Sequence, residues 1–307
     1  MSIFLNVTII MISLLGLWKG ADWLVESSVA IARKIGISEL VIGLTILSIG
    51  TSAPEFAVSG LSALMGHGDI SIGNVVGSNI FNLGFIMGTV AVIKPISTSP
   101  TLVKRDGAVL ISTTLLLLFF LHDLTLEMWE GITLMLLLLS YVSYLIYQKE
   151  TSEEDIKATD YTHFHIVILL AGLAVILLSS HFLVKSASEL ARHFGISEWV
   201  IGVTIVAVGT STPEFVTSLV AILKGHYGLS AGNLVGSDIF NLLGVLGLSG
   251  TLNTLNIAPD AYSSLYFLVG MVAIVVFMMR TGWQISRVEG SVLLLLSCIR
   301  WVMDFYR

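Results

Sequence analysis

Apolar segments of bilayer-spanning length follow one another along almost the whole 307-residue chain. A spanning helix needs roughly 20 apolar residues. We place ten such segments at 2–30, 38–65, 71–93, 106–121, 126–147, 163–191, 197–223, 229–250, 262–279 and 286–304. Only 12 % of the residues are charged, about half the share found in soluble domains, which is too little to cover a water-facing surface. The sequence therefore predicts an all-α polytopic membrane protein with ten transmembrane helices and no separate soluble domain.

Charge and cysteine content argue against several other classes of protein. The formal net charge is −6 and the chain has no dense run of Lys and Arg, so we expect no nucleic-acid binding. Cys298 is the single cysteine, which excludes a disulfide framework and a cysteine-based metal cluster. No Ser/His/Asp or metal-hydrolase spacing is present, so we expect a protein of the lipid bilayer that is not an enzyme.

Lys and Arg residues are unevenly distributed between the two sides of the predicted membrane. Cytoplasmic loops are enriched in these residues. Ten of the 15 lie in or beside the loops after spans 1, 3, 5, 7 and 9, and three lie on the opposite side. This asymmetry predicts a multi-pass protein of the cell membrane, with both termini extracellular and the polar linker 148–162 in the cytoplasm.

The chain contains an internal duplication. Residues 38–88 and 197–247 align without a gap at an offset of 159, with 28 identities in 51 positions. The first copy starts at span 2 and the second at span 7, and five is an odd number, so the second copy enters the membrane from the opposite side. We therefore predict two inverted five-helix repeats, 1–147 and 163–307, with a substrate site near the midplane and transport by alternating access.

The motif G-T-S-x-P-E-F occurs in the middle of a hydrophobic span in each copy, at 50–56 and 209–215. Proline lacks an N–H group and clashes with the carbonyl four residues earlier, so we expect the helix to break near the midplane and to free carbonyl oxygens. A glutamate follows each break, Glu55 and Glu214. A charge at the bilayer centre costs at least about 2.5–3.5 kcal/mol on insertion scales, so the pair predicts a bound cation.

A second motif, G-N-x-V-G-S-x-I-F-N, lies in the next span of each copy. Ser78 and Asn82 are four residues apart and share one helical face, as do Ser237 and Asn241. With the glutamates and the freed carbonyls they form a set of carboxylate, hydroxyl, amide and backbone oxygens, which hard cations such as Ca²⁺ and Na⁺ prefer. Two glutamates balance one Ca²⁺ or two Na⁺, so competition for one site is the simplest basis for exchange.

Three further residues have an orientation that the sequence leaves open. Ser52 and Ser211 sit at the breaks themselves and face either toward the glutamates or away from them. Asp238 lies three residues before Asn241 and is turned about 100° from the preceding serine on the helix. The charge of the site is therefore −2 or −3.

At these two motifs the sequence resembles the sodium/calcium exchanger family of the cation/calcium antiporter superfamily, and the short linker resembles its compact prokaryotic members. The resemblance covers the whole chain. It implies that about three Na⁺ move against one Ca²⁺, with spans 1 and 6 sliding as gates. We expect a protein that functions as a monomer and needs no cofactor beyond these transported ions. Glu55 and Glu214 would be the central ligands, and Asn82 and Asn241 would line the middle of the site. The flanking Na⁺ sites would use side-chain or backbone oxygens of Thr51, Thr210, Ser78 and Ser237 and the backbone carbonyls of Ser48 and Ala207.

Other functions stay open at this point. Asn241 stands where potassium-dependent members use a carboxylate, which argues against potassium dependence, whereas Asp238 adds a carboxylate one turn earlier. H⁺/Ca²⁺ exchange fits the same residues, because carboxylates can carry protons. A cation channel is less favoured, since the broken helices occur once per half and no multi-subunit pore ring is indicated.

Overall fold

A computed structural model describes residues 3–148, 164–195, 205, 207–259 and 261–305 of the chain. The described part is mostly helical. The helices are α1 (Ile3–Ile35), α2 (Glu39–Thr51), α3 (Ala53–Leu64), α4 (Gly68–Ile93), α5 (Leu102–Asp123), α6 (Met128–Gln148), α7 (Phe164–His193), α8 (Ala207–Thr210), α9 (Thr212–Leu223), α10 (Tyr227–Leu252), α11 (Ala261–Arg280) and α12 (Arg287–Phe305). Four two-residue strands connect them: β1 (Ile96–Ser97), β2 (Thr125–Leu126), β3 (Leu255–Asn256) and β4 (Gln284–Ile285).

Seven of the described helices are long and apolar enough to cross a membrane, namely α1, α4, α5, α6, α7, α10 and α11. The count is eight if α2 and α3, which meet at an angle of 51°, form one broken span. The chain is therefore a multi-span helical membrane protein. Of the remaining two predicted spans, 286–304 coincides with α12, and 197–223 includes residues 197–204 and 206, which lie outside the described part.

The helix break between α2 and α3 occurs at the first G-T-S-x-P-E-F motif, as the sequence predicts. Ser52 has φ −79° and ψ 9°, which is not helical, and Pro54 lies in the first turn of α3. Ser211 has nearly the same backbone, with φ −90° and ψ 7°, between α8 and α9. Proline cannot donate to the carbonyl four residues earlier, and in the second copy Ser180 Oγ donates to that carbonyl, Gly209 O, at 2.8 Å.

The two halves contact each other reciprocally. Strand β1 pairs with β4, and strand β3 pairs with β2, both antiparallel. Adding the repeat offset of 159 to β1 yields β3, and adding it to β2 yields β4, so one pairing maps onto the other. The same holds for close helix contacts, because α4 meets α12 at Gly88 and Gly290, and α10 meets α6 at Gly247 and Gly131. The prediction of purely helical structure missed these strands, which satisfy backbone groups where the helices end.

Two long helices, α1 with 33 residues and α7 with 30, pack along each other. They cross where Gly20 meets Gly172, since a Cβ atom added at either glycine would lie within 3 Å of the other's carbonyl oxygen. Small residues allow such close approach of helix backbones in membranes. The remaining helices surround α4 and α10. Of the most apolar 18-residue stretch of each, 72 % is buried in α4 and 89 % in α10.

Candidate cation-binding site

Glu55 and Glu214 lie in the first turns of α3 and α9, directly after the two helix breaks. Both side chains are fully buried. The N-terminus of a helix carries a partial positive charge and favours a carboxylate in its first turn. In the described part of the chain, neither carboxylate forms an ion pair with a basic side chain. The described part of the chain thus holds two carboxylates in its interior without a basic side chain to balance them.

The break serines cross-link the two halves through these glutamates. Ser52 Oγ donates to Glu214 Oε1 at 2.9 Å, and Ser211 Oγ donates to Glu55 Oε1 at 3.2 Å. Both serines are fully buried. Of the two orientations that the sequence left open, the structure has the one that faces the glutamates, and each serine holds the carboxylate of the opposite repeat.

Side chains of α4 and α10 complete the surroundings of the glutamates. Ser78 Oγ donates to Glu55 Oε1 at 3.3 Å. Across the halves, Thr51 Oγ1 of the first repeat lies 3.5 Å from Ser237 Oγ of the second and donates to Asn233 Oδ1 at 3.3 Å. All of these side chains are buried, so the two motifs predicted from the repeat meet in one place.

Three other predicted residues have weaker structural support. Ser48 is buried, and its hydroxyl donates to Thr45 O at 3.2 Å, within its own helix. Thr210 is partly exposed and ends α8. Ala207 begins α8, and its side chain lies outside the described part.

A layer of amides and one carboxylate lies where α4 and α10 meet. Asn82 Nδ2 donates to Asp238 Oδ1 at 3.1 Å, and Asn241 Nδ2 donates to Asn79 Oδ1 at 3.0 Å. Asn79 Nδ2 in turn donates to Asp238 O at 3.1 Å. All four side chains are fully buried. Asp238 is therefore packed inside with the asparagines of the second motif.

A local change in helix winding accompanies this layer in both repeats. A π-helical turn begins at Asn82 in α4 and at Asn241 in α10. Such turns insert one extra residue per turn and occur frequently at functional sites. Their repetition at equivalent positions shows that the two helices have the same geometry around the asparagines.

Several buried oxygens of the site receive no hydrogen bond from any described residue: Glu55 Oε2, Glu214 Oε2, Asp238 Oδ2, Asn82 Oδ1 and Asn241 Oδ1. Leaving a buried acceptor unpaired costs about 1–3 kcal/mol, and more for a charged group. No group of three or more His, Cys, Asp or Glu side chains arranged to hold a metal ion occurs in the described ranges. A donor set of carboxylates with neutral oxygens suits hard cations such as Ca²⁺ and Na⁺.

Sequence reasoning did not identify two residues that contact the site. Asn79 accepts from Asn241, and Asn233 accepts from Thr51 while its own amide donates to Ser218 Oγ at 3.0 Å. Asn233 has a repeat counterpart, Asn74, so its recurrence was a usable signal. Asn79 aligns with Asp238, and this mismatch hid the fact that an acceptor is present in both copies.

Comparison with known proteins agrees with this arrangement. Residues 5–147 and 164–302 match the family of sodium/calcium exchanger proteins. This chain belongs to the sodium/calcium exchanger family. It is 33 % identical to the sodium/calcium exchanger MaX1 of Methanosarcina acetivorans over 99 % of both chains, and 30 % identical to the inner membrane protein YrbG of Escherichia coli over 98 % of this chain and 97 % of YrbG.

A solved structure of the sodium-calcium exchanger NCX_Mj, soaked with 2.5 mM Na⁺ and 0.1 mM Ca²⁺, has the same fold. The TM-score is 0.86 at 31 % identity, and the match covers 96 % of this chain and 97 % of NCX_Mj. The resemblance inferred from the two motifs to a compact prokaryotic exchanger is therefore confirmed. Membership of this family also confirms that the chain is a membrane transporter and not an enzyme.

Proposed function

We propose that this chain exchanges Na⁺ for Ca²⁺ across the cell membrane by alternating access. The observation that carries the proposal is the pair of buried glutamates, each hydrogen-bonded by the break serine of the other half and each keeping one carboxylate oxygen without a donor. One Ca²⁺ neutralises the pair, and so do two Na⁺. Because one site serves both ions, binding of one ion excludes the other.

Around this pair we assign the neutral ligands by their position. The hydroxyls of Ser52, Ser211 and Ser78 already contact the glutamates, and each oxygen keeps a lone pair for an ion. The flanking Na⁺ sites would use the side-chain or backbone oxygens of Thr51, Thr210, Ser237, Ser48 and Ala207. Three Na⁺ per Ca²⁺ would leave one Na⁺ on neutral oxygens or on Asp238, whose Oδ2 also has no donor among the described residues.

The architecture that we propose has ten spans in two inverted repeats, 1–147 and 163–307, in a monomer with extracellular termini and a cytoplasmic linker at 148–162. The reciprocal strand pairs support a two-fold relation between the halves, which would exchange outward-open and inward-open forms. Helices α1 and α7, which pack on each other, would be the sliding gates. A cysteine placed in the linker of a Cys298→Ser background should react with an impermeant maleimide only in inside-out vesicles, and labelling in right-side-out vesicles would reverse the orientation.

The central experiment measures ⁴⁵Ca²⁺ uptake by proteoliposomes under one gradient at a time. Liposomes loaded with Na⁺ and diluted into Na⁺-free medium should take up Ca²⁺. Glu55→Gln and Glu214→Gln should abolish uptake, because each removes half of the balancing charge. Glu127→Gln, which changes an exposed glutamate directly before α6, is the matched control and should transport normally.

Other couplings give different results in the same assay. Uptake driven by a pH gradient without Na⁺ would indicate H⁺/Ca²⁺ exchange, and a K⁺ requirement would indicate potassium-dependent exchange. Flux far above carrier turnover would indicate a channel. Ca²⁺ uptake that does not depend on the Na⁺ gradient, or full activity of Glu55→Gln, would refute the proposal.

A further inference from the structure

Asn79 and Asp238 occupy equivalent positions in the two repeats, and each accepts a hydrogen bond from the motif asparagine of the other half. We propose that both are positioning residues, which turn the side-chain oxygens of Asn241 and Asn82 toward the transported cation. This proposal rests on the proposed function, because it concerns the same ion site. It assigns a role to Asn79, which neither motif nor charge singled out.

The orientation of each motif asparagine follows from which groups can accept. A carboxamide donates through its nitrogen and accepts through its oxygen, so a partner that holds the NH₂ group leaves the oxygen pointing elsewhere. The nitrogens of Asn82 and Asn241 are held at 3.1 and 3.0 Å. Their Oδ1 atoms are buried and receive no donor from the described part of the chain. These two oxygens are thus available for a cation.

The hydrogen-bond chain also removes the ambiguity between amide nitrogen and oxygen. Asn79 Nδ2 donates to the backbone carbonyl of Asp238 at 3.1 Å, and a carbonyl can only accept. This contact requires Asn79 to present its nitrogen there and its Oδ1 to Asn241. The orientation of Asn241 is therefore traced to a backbone atom, whereas that of Asn82 is traced to the carboxylate of Asp238.

The arrangement crosses between the halves in the same way as the serine–glutamate contacts. Asn79 of the first repeat holds Asn241 of the second, and Asp238 of the second holds Asn82 of the first. One position carries an amide and the other a carboxylate, so the feature that they share is an acceptor oxygen and not a charge. Asp238 can use Oδ1 for this contact and keep Oδ2 for the ion, since Oδ2 has no donor among described residues.

Loss of a positioning contact has a specific consequence. An asparagine that is free to turn can present its NH₂ group to the cation, which replaces an attraction by a repulsion. Changes in residues that orient metal ligands typically weaken metal affinity by about 10–100-fold. We therefore expect Asn79→Leu to raise the Ca²⁺ KM of uptake by about tenfold or more, with a smaller effect on the maximal rate.

The first test is a double-mutant cycle with Asn79→Leu and Asn241→Leu. Equilibrium ⁴⁵Ca²⁺ binding to the purified protein and the KM of uptake are both measured. If Asn79 acts through Asn241, the double variant binds Ca²⁺ as Asn241→Leu does, to within about twofold. Asn253→Leu is the matched control, because it removes an amide contact to Ala63 O directly after the end of α10 and outside the site, and it should leave Ca²⁺ affinity unchanged within the same margin. An additive double variant, or Asn79→Leu with unchanged affinity, would overturn the proposal.

The second test exchanges the two residues, Asn79→Asp with Asp238→Asn. Both positions then still offer an acceptor, and the total charge of the site is unchanged. The exchanged pair should therefore bind Ca²⁺ to within about twofold of wild type, and a loss of affinity of about tenfold or more at unchanged total charge would contradict the proposal. Because the exchange introduces no apolar group, it stays informative if Asn79→Leu fails to fold.

Binding without any Na⁺ gradient separates this proposal from the proposed function. A wild-type protein that binds Ca²⁺ but shows no Na⁺-driven uptake would refute Na⁺/Ca²⁺ exchange, while the cycle and the exchanged pair would still decide the role of Asn79.

Discussion

Replacing glycine by alanine should have opposite effects on stability at Gly20, where α1 crosses α7, and at Gly270 in α11. At Gly20, an added Cβ atom would lie 2.9 Å from Gly172 O and 2.9 Å from Ile176 Cγ1, closer than ordinary carbon contacts of about 3.5–4.0 Å. Helix α1 must therefore move away from α7 or become strained. At Gly270 in the middle of α11, no atom of the described residues lies within 4 Å of the added Cβ, apart from the surrounding backbone of its own helix.

The size of each effect follows from two opposing contributions. Overpacking a close contact costs about 1–3 kcal/mol, and replacing glycine by alanine in a helix gains about 0.8–1 kcal/mol. Gly20→Ala should thus lose up to about 2 kcal/mol of stability, and Gly270→Ala should gain up to about 1 kcal/mol. Unfolding in detergent micelles, followed by denaturant or temperature, measures both.

The same substitution tests the proposed gates. If α1 and α7 slide together against the remaining helices, Gly20→Ala should reduce the maximal rate of Ca²⁺ uptake more than it changes the equilibrium Ca²⁺ affinity of the buried site. Gly270→Ala should transport at the wild-type rate. A Gly20→Ala protein as stable and as fast as wild type would refute the close crossing and the reasoning built on it.

Three further predictions concern the site and its surroundings. Ser52→Ala and Ser211→Ala each remove a buried hydrogen bond to a carboxylate, worth about 1.5–3 kcal/mol. Each substitution should therefore raise the Ca²⁺ KM of uptake by at least about tenfold. A serine variant with the wild-type KM would contradict the hydrogen bonds between the two halves. Zn²⁺ at the concentration of Ca²⁺ should inhibit uptake only weakly, because the donor set is all oxygen, and Zn²⁺ competition equal to that of Sr²⁺ would argue for a different ligand set. Lys224→Met removes ion pairs with Asp22 and Glu26 and should lower stability by about 1 kcal/mol, less at high salt, in a comparison of melting temperatures.

The Lys224 ion pairs also predict how this contribution depends on pH. Burial acts to lower the pKa of Lys224, but its hydrogen bonds to Asp22 and Glu26 outweigh burial and raise it above the ordinary lysine value. A raised pKa of a basic group adds stability that is present below the ordinary value and is lost as the pH rises through the raised one. The difference in melting temperature between wild type and Lys224→Met should therefore be constant from pH 7 to about 9, and a difference that disappears in this range would contradict the assignment.

Much of the fold and of the site could be predicted from sequence because local chemistry determines it. Proline removes a backbone donor and clashes with the carbonyl four residues earlier, so the breaks at Ser52 and Ser211, just before Pro54 and Pro213, were predictable. The 159-residue repeat doubled each signal, which made Glu55 and Glu214 recognisable as a pair. Residues 149–162 of the linker and residues 196–204 and 206, which include part of the predicted span 197–223, lie outside the described part, and the expectations for them stay predictions.

Other features depend on contacts between residues far apart in the chain. The serines at the breaks could face either way until the opposite repeat supplied a carboxylate within hydrogen-bond distance. The sequence left the orientation of Asp238 open, and the packing of α4 against α10 places Asn82 beside it.

The sequence by itself determined that the chain lies in a lipid bilayer, that its motifs are doubled and that their oxygen ligands suit hard cations. These properties follow from hydrophobicity, backbone restriction and ligand type, which belong to individual residues and short segments. The tertiary structure alone decided which oxygens are held by donors and which stay open. That property depends on hydrogen bonds that cross from one repeat to the other, such as Asn241 to Asn79 over 162 positions, and no local pattern specifies them.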